Sequence, residues 1–204
     1  MNSKYPVVKM ERFLQNRKEF FTINDNIEYK LVTVQLHARG IHERSRLLGS
    51  EIKTKKQQRI KAGDLLVAEI DAKVGGYGIV PPELDGAIVS GHYFLYEIDK
   101  SQVEPDYLEY YLQSGNPEQD VQQFVKGSVN YAAIRSQHFL QIEIPLPPID
   151  EQRKIIFLMH KVSEMRGYQL QILSEIESLF QAMLDRAFQG ELLEFGKPNA
   201  IFTK

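Results

Sequence analysis

Asp64 is followed seven residues later by Asp71-Ala72-Lys73, an order in which two carboxylates would hold a magnesium ion and a lysine would neutralise charge on a phosphate. This acid, acid-x-lysine order occurs in many metal-dependent nucleases. It is short, however, and it needs a third acid and a supporting helix that the surrounding sequence does not place. The histidines offer less, because His37, His42, His92, His138 and His160 are dispersed and none forms a ligand pair on one helix. Gly75-Gly76-Tyr77-Gly78 lacks the strand-to-helix setting of a nucleotide-binding loop. Apart from the nuclease alternative, no catalytic set and no metal site is visible.

Charge is the stronger signal. The formal net charge is only −2, yet residues 1–61 carry 14 Lys and Arg against 6 acids while residues 62–120 carry 2 against 12. Within the first block, residues 39–61 hold eight bases and two acids, with His37 and His42 adjacent. Such a local field selects phosphates. Lys53, Lys55, Lys56, Arg59 and Lys61 are the expected phosphate contacts, which supply affinity and salt dependence but no sequence information. Arg39, Arg44 and Arg46 either do the same or reach guanine edges as bidentate donors; the sequence leaves both roles open. Lys73 and Tyr77 flank the glycine turn as candidate groove residues. A second polar patch contributes Lys126, Ser128, Asn130, Tyr131, Arg135 and Gln137, the amide, hydroxyl, aromatic and cationic groups used on base edges and phosphates.

The elements that must position these residues are of mixed type. Strands are expected at Tyr29–Leu36, Leu65–Asp71, Ala87–Glu97 and Phe139–Leu146, and short helices at Pro105–Gln113 and Pro117–Val125. The glycine turn permits positive dihedrals and serves either a hairpin or an exposed loop. With 204 residues, 43% of them hydrophobic, there is material for one domain of ordinary core size plus an appendage. Cysteine is absent, which rules out disulfides and thiolate metal sites, and no long apolar run suggests a signal peptide or membrane span. A cytoplasmic location is the expectation.

The appendage is the most strongly written element. Pro145, Pro147 and Pro148 remove amide hydrogens and bias their predecessors to extended backbone, and Asp150 reads as the N-cap of a following helix, with Glu151 in its first turn. Ile155, Leu158, Val162, Met165, Gln169, Ile172, Ile176, Leu179, Met183 and Arg186 then alternate in steps of three and four, eight of the ten apolar. Gly167 is the weak point inside the run and Gly190 the expected cap at its end. At about 1.5 Å per residue the helix would span roughly 60 Å, too long to bury its stripe on a domain roughly 30 Å across. It therefore asks for a partner helix, with Gln169 and Arg186 as register or partner-selecting positions.

Pro-Leu-Pro-Pro (145–148), Glu151-Gln152-Arg153, a long helix and Ala187-Phe188-x-Gly190-Glu191-Leu192 together resemble the specificity (S) subunits of type I restriction-modification systems. Upstream, Gly63-Asp64-Leu65-Leu66-Val67, Gly78-Ile79-Val80, the Ser90–Tyr96 strand, Pro105-Asp106-Tyr107-Leu108, Gly127-Ser128 and Ile134 extend the resemblance to nearly the whole chain. The resemblance implies an α+β fold, a mixed α/β target recognition domain at residues 1–148, a spacer and dimerisation helix at 149–192 and a tail at 193–204. A typical member holds two such domains and two long helices, so this chain resembles a half-size form that pairs with itself to read an interrupted palindrome on double-stranded DNA. Ile155, Leu158, Val162, Met165, Ile172, Ile176, Leu179 and Met183 would form the dimer seam. The resemblance also implies a non-catalytic chain with no cofactor of its own. S-adenosylmethionine would sit in a partner methyltransferase subunit and ATP in any restriction subunit. Two alternatives stand beside it: the nuclease domain, and a coiled-coil adaptor whose basic region is incidental.

Overall fold

The computed structural model describes residues 4–125 and 134–190, and the chain divides into two compact units, residues 1–156 and 157–204. The first unit is organised around β7 (Leu65–Ala68), a run of four apolar residues of which Leu65, Leu66 and Val67 are wholly buried. A strand apolar on both faces must be covered on both. It lies in a four-stranded antiparallel sheet ordered β2-β10-β7-β8, completed by β2 (Leu14–Arg17), β8 (Tyr77–Ile79) and β10 (Tyr93–Ile98). Leu65, Val67, Tyr96 and Ile98 on one face pack with Tyr107, Leu108, Leu112, Val121 and Phe139, which come from α1 (Pro105–Gln113), α2 (Asn116–Val125) and α3 (Ser136–Leu140). Leu66 and Leu95 on the other face pack with Val32, Val34, Ile41, Ile60 and Val89. The layers are thus helices, sheet, sheet.

The outer layer is a five-stranded sheet ordered β3-β6-β9-β4-β5. Its strands are β3 (Phe20–Thr22), β4 (Glu28–Val34), β5 (Ile41–Leu48), β6 (Lys56–Arg59) and β9 (Ile88–Val89). Neighbours run antiparallel except β4 and β9, which are parallel where Leu31 faces Ile88. A third, two-stranded ribbon joins β1 (Val7–Lys9) to β11 (Glu143–Pro145). Most of the basic segment lies in β5 and β6, strands whose mostly polar residues give no apolar alternation to mark them in the sequence.

Two expected strands are corrected. The expected strand Ala87–Glu97 is broken at Ser90-Gly91-His92 into β9 and β10, which belong to different sheets. Phe139–Leu146 begins as α3 and becomes extended only at Glu143, because a helical turn places Phe139 at zero exposure against Tyr77 and Tyr96. By contrast α1 starts where Pro105 supplies a first-turn residue with no amide hydrogen to satisfy.

The long helix α4 runs Ile149–Phe188, forty residues, with its first two turns in the first unit. Asp150 is not its N-cap. Pro148 holds that place, its carbonyl accepting from the amides of Glu151 (2.9 Å) and Gln152 (3.0 Å), while Asp150 sits exposed in the first turn, where a negative charge suits the helix dipole. The start is anchored by Gln152, whose side chain is fully buried. Its Oε1 accepts from the Glu104 amide (2.9 Å), and its Nε2 donates to the carbonyls of Gln102 (3.0 Å) and Pro147 (2.8 Å). Arg153 adds a hydrogen bond to the Glu104 carboxylate at 2.7 Å. Ile155 is half-buried against the helical core, so it belongs to this anchor rather than to the free stripe.

In the second unit Leu158, Val162, Met165, Ile172, Ile176, Leu179 and Met183 are 48–64% exposed. Met159, Leu173 and Phe180 flank them and are exposed too. Polar neighbours support the remaining surface, among them Lys161–Glu164 at 2.9 Å and Gln171–Glu175 at 2.9 Å. The helix ends at Gly190, whose φ of +81° is left-handed and whose amide returns to the Ala187 carbonyl at 3.1 Å. Among the described residues no helix is long and apolar enough to cross a membrane.

Two substitutions test this account. Gln152→Ala leaves one buried amide and two carbonyls without their partner and should cost about 2–3 kcal/mol, read as a fall in calorimetric midpoint; an unchanged midpoint would remove Gln152 as the anchor. Gly167 has open space around its missing Cβ, so Gly167→Ala should stabilise α4 by about 0.5–1 kcal/mol in thermal unfolding followed by circular dichroism.

Candidate nucleic-acid interface

The hairpin of β4 and β5 carries three exposed cations, Arg39, Arg44 and Arg46. Its loop is strained: His37 (φ +59°) and Ala38 (φ +51°) are consecutive left-handed residues that are not glycine, at about 1–2 kcal/mol each. Backbone bonds hold them there, from the His37 amide to Val74 O (2.9 Å) and from the Ala38 amide to Gly75 O (2.8 Å). Gly75 must be glycine, since a Cβ would lie 2.7 Å from the His37 Cα. The glycine turn therefore serves close packing of the hairpin loop, with Arg39 exposed at the loop tip. His37 Nδ1 lies 3.4 Å from the Glu118 carboxylate, tying the loop to α2.

Along β5 the ladder slips between Leu31 and Val32: Leu31 faces Ser45 and Val32 faces Glu43, which leaves Arg44 without a cross-strand partner. This is a β-bulge, a device that re-aims a side chain. Arg46 forks onto Glu43 at 2.8 and 3.3 Å and holds that carboxyl below its usual range. Arg44 and Lys53 line one open cleft of about 400 Å³ together with Gln57, Tyr93, Glu51 and a floor that includes Leu31 and Leu47.

The other candidates divide. Lys55 is held by Asp25 (2.6 Å) and the Gly49 carbonyl (2.7 Å). Lys56 lies 4.9 Å over the Phe20 ring, and Arg59 lies 4.8 Å over Phe21 while reaching the Gly86 carbonyl at 3.4 Å. Lys61 pairs with Glu19 at 3.3 Å, which lowers the Glu19 pKa, and it lines a different, larger cleft of about 870 Å³ with Arg17 and Asp64. Lys73 is half-buried in a single 3-10 turn, Ala72–Val74. Arg135 and Gln137 are exposed at the start of α3. The Ile134 amide binds the Glu69 carbonyl, and Glu69 pairs with His92 at 3.0 Å, which brings Arg135 toward the β9–β10 corner. Lys126, Ser128, Asn130 and Tyr131 lie outside the described residues. Among the described residues no carboxylate pairs with Arg39, Arg44 or Lys53.

Tyr77 is a correction: it is fully buried, edge-on to Phe139, and burial drives its hydroxyl pKa upward. It packs the core and reaches no groove. Asp64 is likewise a structural residue, 5% exposed. Its carboxylate pairs with Arg17 and accepts from the Lys61 amide at 3.0 Å, whereas Asp71 shapes its turn through its carbonyl, bonded to the amides of Val74 (3.0 Å) and Gly76 (2.8 Å). Among the described residues no group of three or more His, Cys, Asp or Glu is placed to hold a metal. Sequence reading missed Tyr93 and Gln57. Both sat inside patterns that read only as strand and charge, and no local signal marked them.

Comparison with known proteins gives the fold a place. The chain is similar to a putative type I restriction enzyme MjaX specificity subunit of Methanocaldococcus jannaschii, 23% identical over 141 residues, which is 67% of this chain and 32% of that protein. Its fold is that of the HsdS subunit of Thermoanaerobacter tengcongensis (TM-score 0.68, 22% identity, 89% of this chain and 49% of that one). It also matches a chain solved in a study of complex assembly and conformational transition of the type I R-M system (TM-score 0.68, 21% identity, 99% and 53%). The chain thus spans about a third of the first relative and half of each solved chain. Residues 1–178 match the type I restriction modification DNA specificity domain, and the chain belongs to that family.

Proposed function

We propose that this chain is the DNA-recognition subunit of a type I-like restriction-modification complex, acting in the cytoplasm without catalysis of its own. One observation carries the reading beyond family membership: the described unit of the specificity domain is followed by a forty-residue helix whose apolar stripe is left uncovered. Two copies paired antiparallel along α4 would cover the stripe and set two identical units at either end of a spacer. A twofold pair reads the same half-site twice, so the target is an interrupted palindrome whose gap follows the length of the paired helices.

The exposed cations Arg39, Arg44 and Lys53 of the outer sheet meet the duplex, where phosphate contacts provide affinity and base edges provide choice. A methyltransferase partner then docks on the paired helices and is positioned over an adenine. Extruding and methylating that base is the partner's chemistry, with S-adenosylmethionine bound there; ATP belongs to a restriction subunit where one joins.

Two measurements test this. Ile172→Asp combined with Ile176→Asp buries unpaired charge in the seam and should weaken pairing at least about a thousandfold, roughly 4 kcal/mol, converting dimer to monomer in sedimentation while the circular dichroism of the first unit is unchanged. A dimer surviving both substitutions overturns the interface. Single-molecule sequencing of DNA from cells with and without the gene should show one interrupted palindromic adenine motif losing its methylation; identical methylation in both would overturn the recognition role.

A further inference from the structure

The arginines of the outer sheet and of strand β2 beside it are not equivalent. Arg46 is engaged by Glu43, Arg59 by the Phe21 ring and the Gly86 carbonyl, and Arg17 by Asp64. Arg44 alone among these three neighbours and itself is set out of the strand ladder by a bulge and stands at a cleft without a carboxylate partner. A bulge costs a break in cross-strand pairing, here in the middle of the best-paired hairpin of the sheet.

The cleft has the composition of a recognition site. Half-buried Leu31 and Leu47 give it an apolar floor, and its rim carries a guanidinium, an ammonium, a phenol and a carboxylate. Its walls are fixed: Gln57 is 6% exposed and donates to the Thr54 carbonyl at 2.7 Å, the Tyr93 carbonyl accepts from Gln58 at 2.9 Å, and Glu51 accepts from the Leu48 amide at 2.9 Å. A phosphate would select cations alone. A base edge presents donors and acceptors side by side, which a rim of both kinds matches. The Tyr93 phenol, whose pKa burial raises, adds a hydroxyl donor to the rim.

We propose that Arg44 is the specificity-determining side chain of this cleft, reading a guanine edge in each half-site through its two parallel N–H donors, with Tyr93 as the positioning residue beside it. This rests on the DNA-recognition reading above. Arg39 and Lys53, two further exposed cations for which no carboxylate partner is seen among the described residues, then serve phosphates, which separates roles that the sequence left merged.

The experiment uses the chain assembled with its methyltransferase. The probe is a duplex bearing the motif methylated in cells that carry the gene, together with a panel in which each base pair of that motif is replaced in turn. Arg44→Ala and Arg44→Lys should lower discrimination roughly ten- to a hundredfold at one symmetric pair of G·C positions and leave the other positions unchanged. Arg44→Lys keeps the charge, so its binding to unrelated DNA and its salt slope should stay as in the wild type. Tyr93→Phe should lower discrimination at that same pair only. Uniform weakening at every sequence, with the salt slope reduced by about one, would make Arg44 a phosphate contact and overturn the proposal. Unaltered discrimination in all three variants would place the cleft away from the bases and overturn it equally. Failure of the wild-type assembly to prefer its motif over unrelated DNA would instead overturn the recognition role from which the proposal descends. Arg44 is exposed, so each variant is expected to fold, with melting temperature as the control.

Discussion

Apolar surface that a forty-residue helix cannot hide on itself sets the terms for everything else in this molecule. Seven seam residues of α4 stand half or more exposed, or nearly so, and each fully buried side chain of this kind contributes about 1.5–3 kcal/mol. Covering the exposed half of that stripe would contribute about 5–10 kcal/mol, comparable with the whole stability of an ordinary domain, about 5–15 kcal/mol. Gln169 interrupts the stripe between Met165 and Ile172 in the three-four spacing; if the stripe pairs with another helix as proposed, a polar side chain there would favour one register over its neighbours.

The start of α4 is fixed within the first unit by the buried amide of Gln152. Its three hydrogen bonds join the start of α4 to the segment before α1 and to the proline run. Two tyrosines of α1 add to this, Tyr107 donating to the Pro145 carbonyl and Tyr111 to the Glu143 carbonyl, both at 2.6 Å. A buried side-chain network that is fully bonded specifies one arrangement, because any displacement leaves several polar groups unpaired at once.

The outer sheet shows a complementary use of strain and irregularity. The left-handed pair His37 and Ala38 persists because the Val74 and Gly75 carbonyls hold its amides, and the bulge at Arg44 persists because β4 and β5 pair on both sides of it. In each case paired backbone stabilises an irregular stretch that carries an exposed side chain, His37 in the first and Arg44 in the second. Several cations of the basic segment are engaged within the fold, Lys55 by Asp25, Lys61 by Glu19 and Arg46 by Glu43.

Much of the architecture was legible in the chain itself. Prolines 145, 147 and 148 and the three-four apolar spacing marked the start and course of α4 and Gly190 its end near Phe188, since helix starts, stripes and caps are local chemistry, although Pro148 rather than Asp150 caps it. Pro105 did the same for α1, and the family resemblance agreed with the matched specificity domain. The sequence could not show that Tyr77 is core, that residues 87–97 cross between two sheets, that β5 and β6 are strands at all, or that Asp64 belongs to Arg17. These depend on neighbours distant in the chain. Charge along a sequence counts every cation alike; only the tertiary structure decides which ones meet a carboxylate, a ring or a carbonyl, and which, like Arg44, are left facing a cleft.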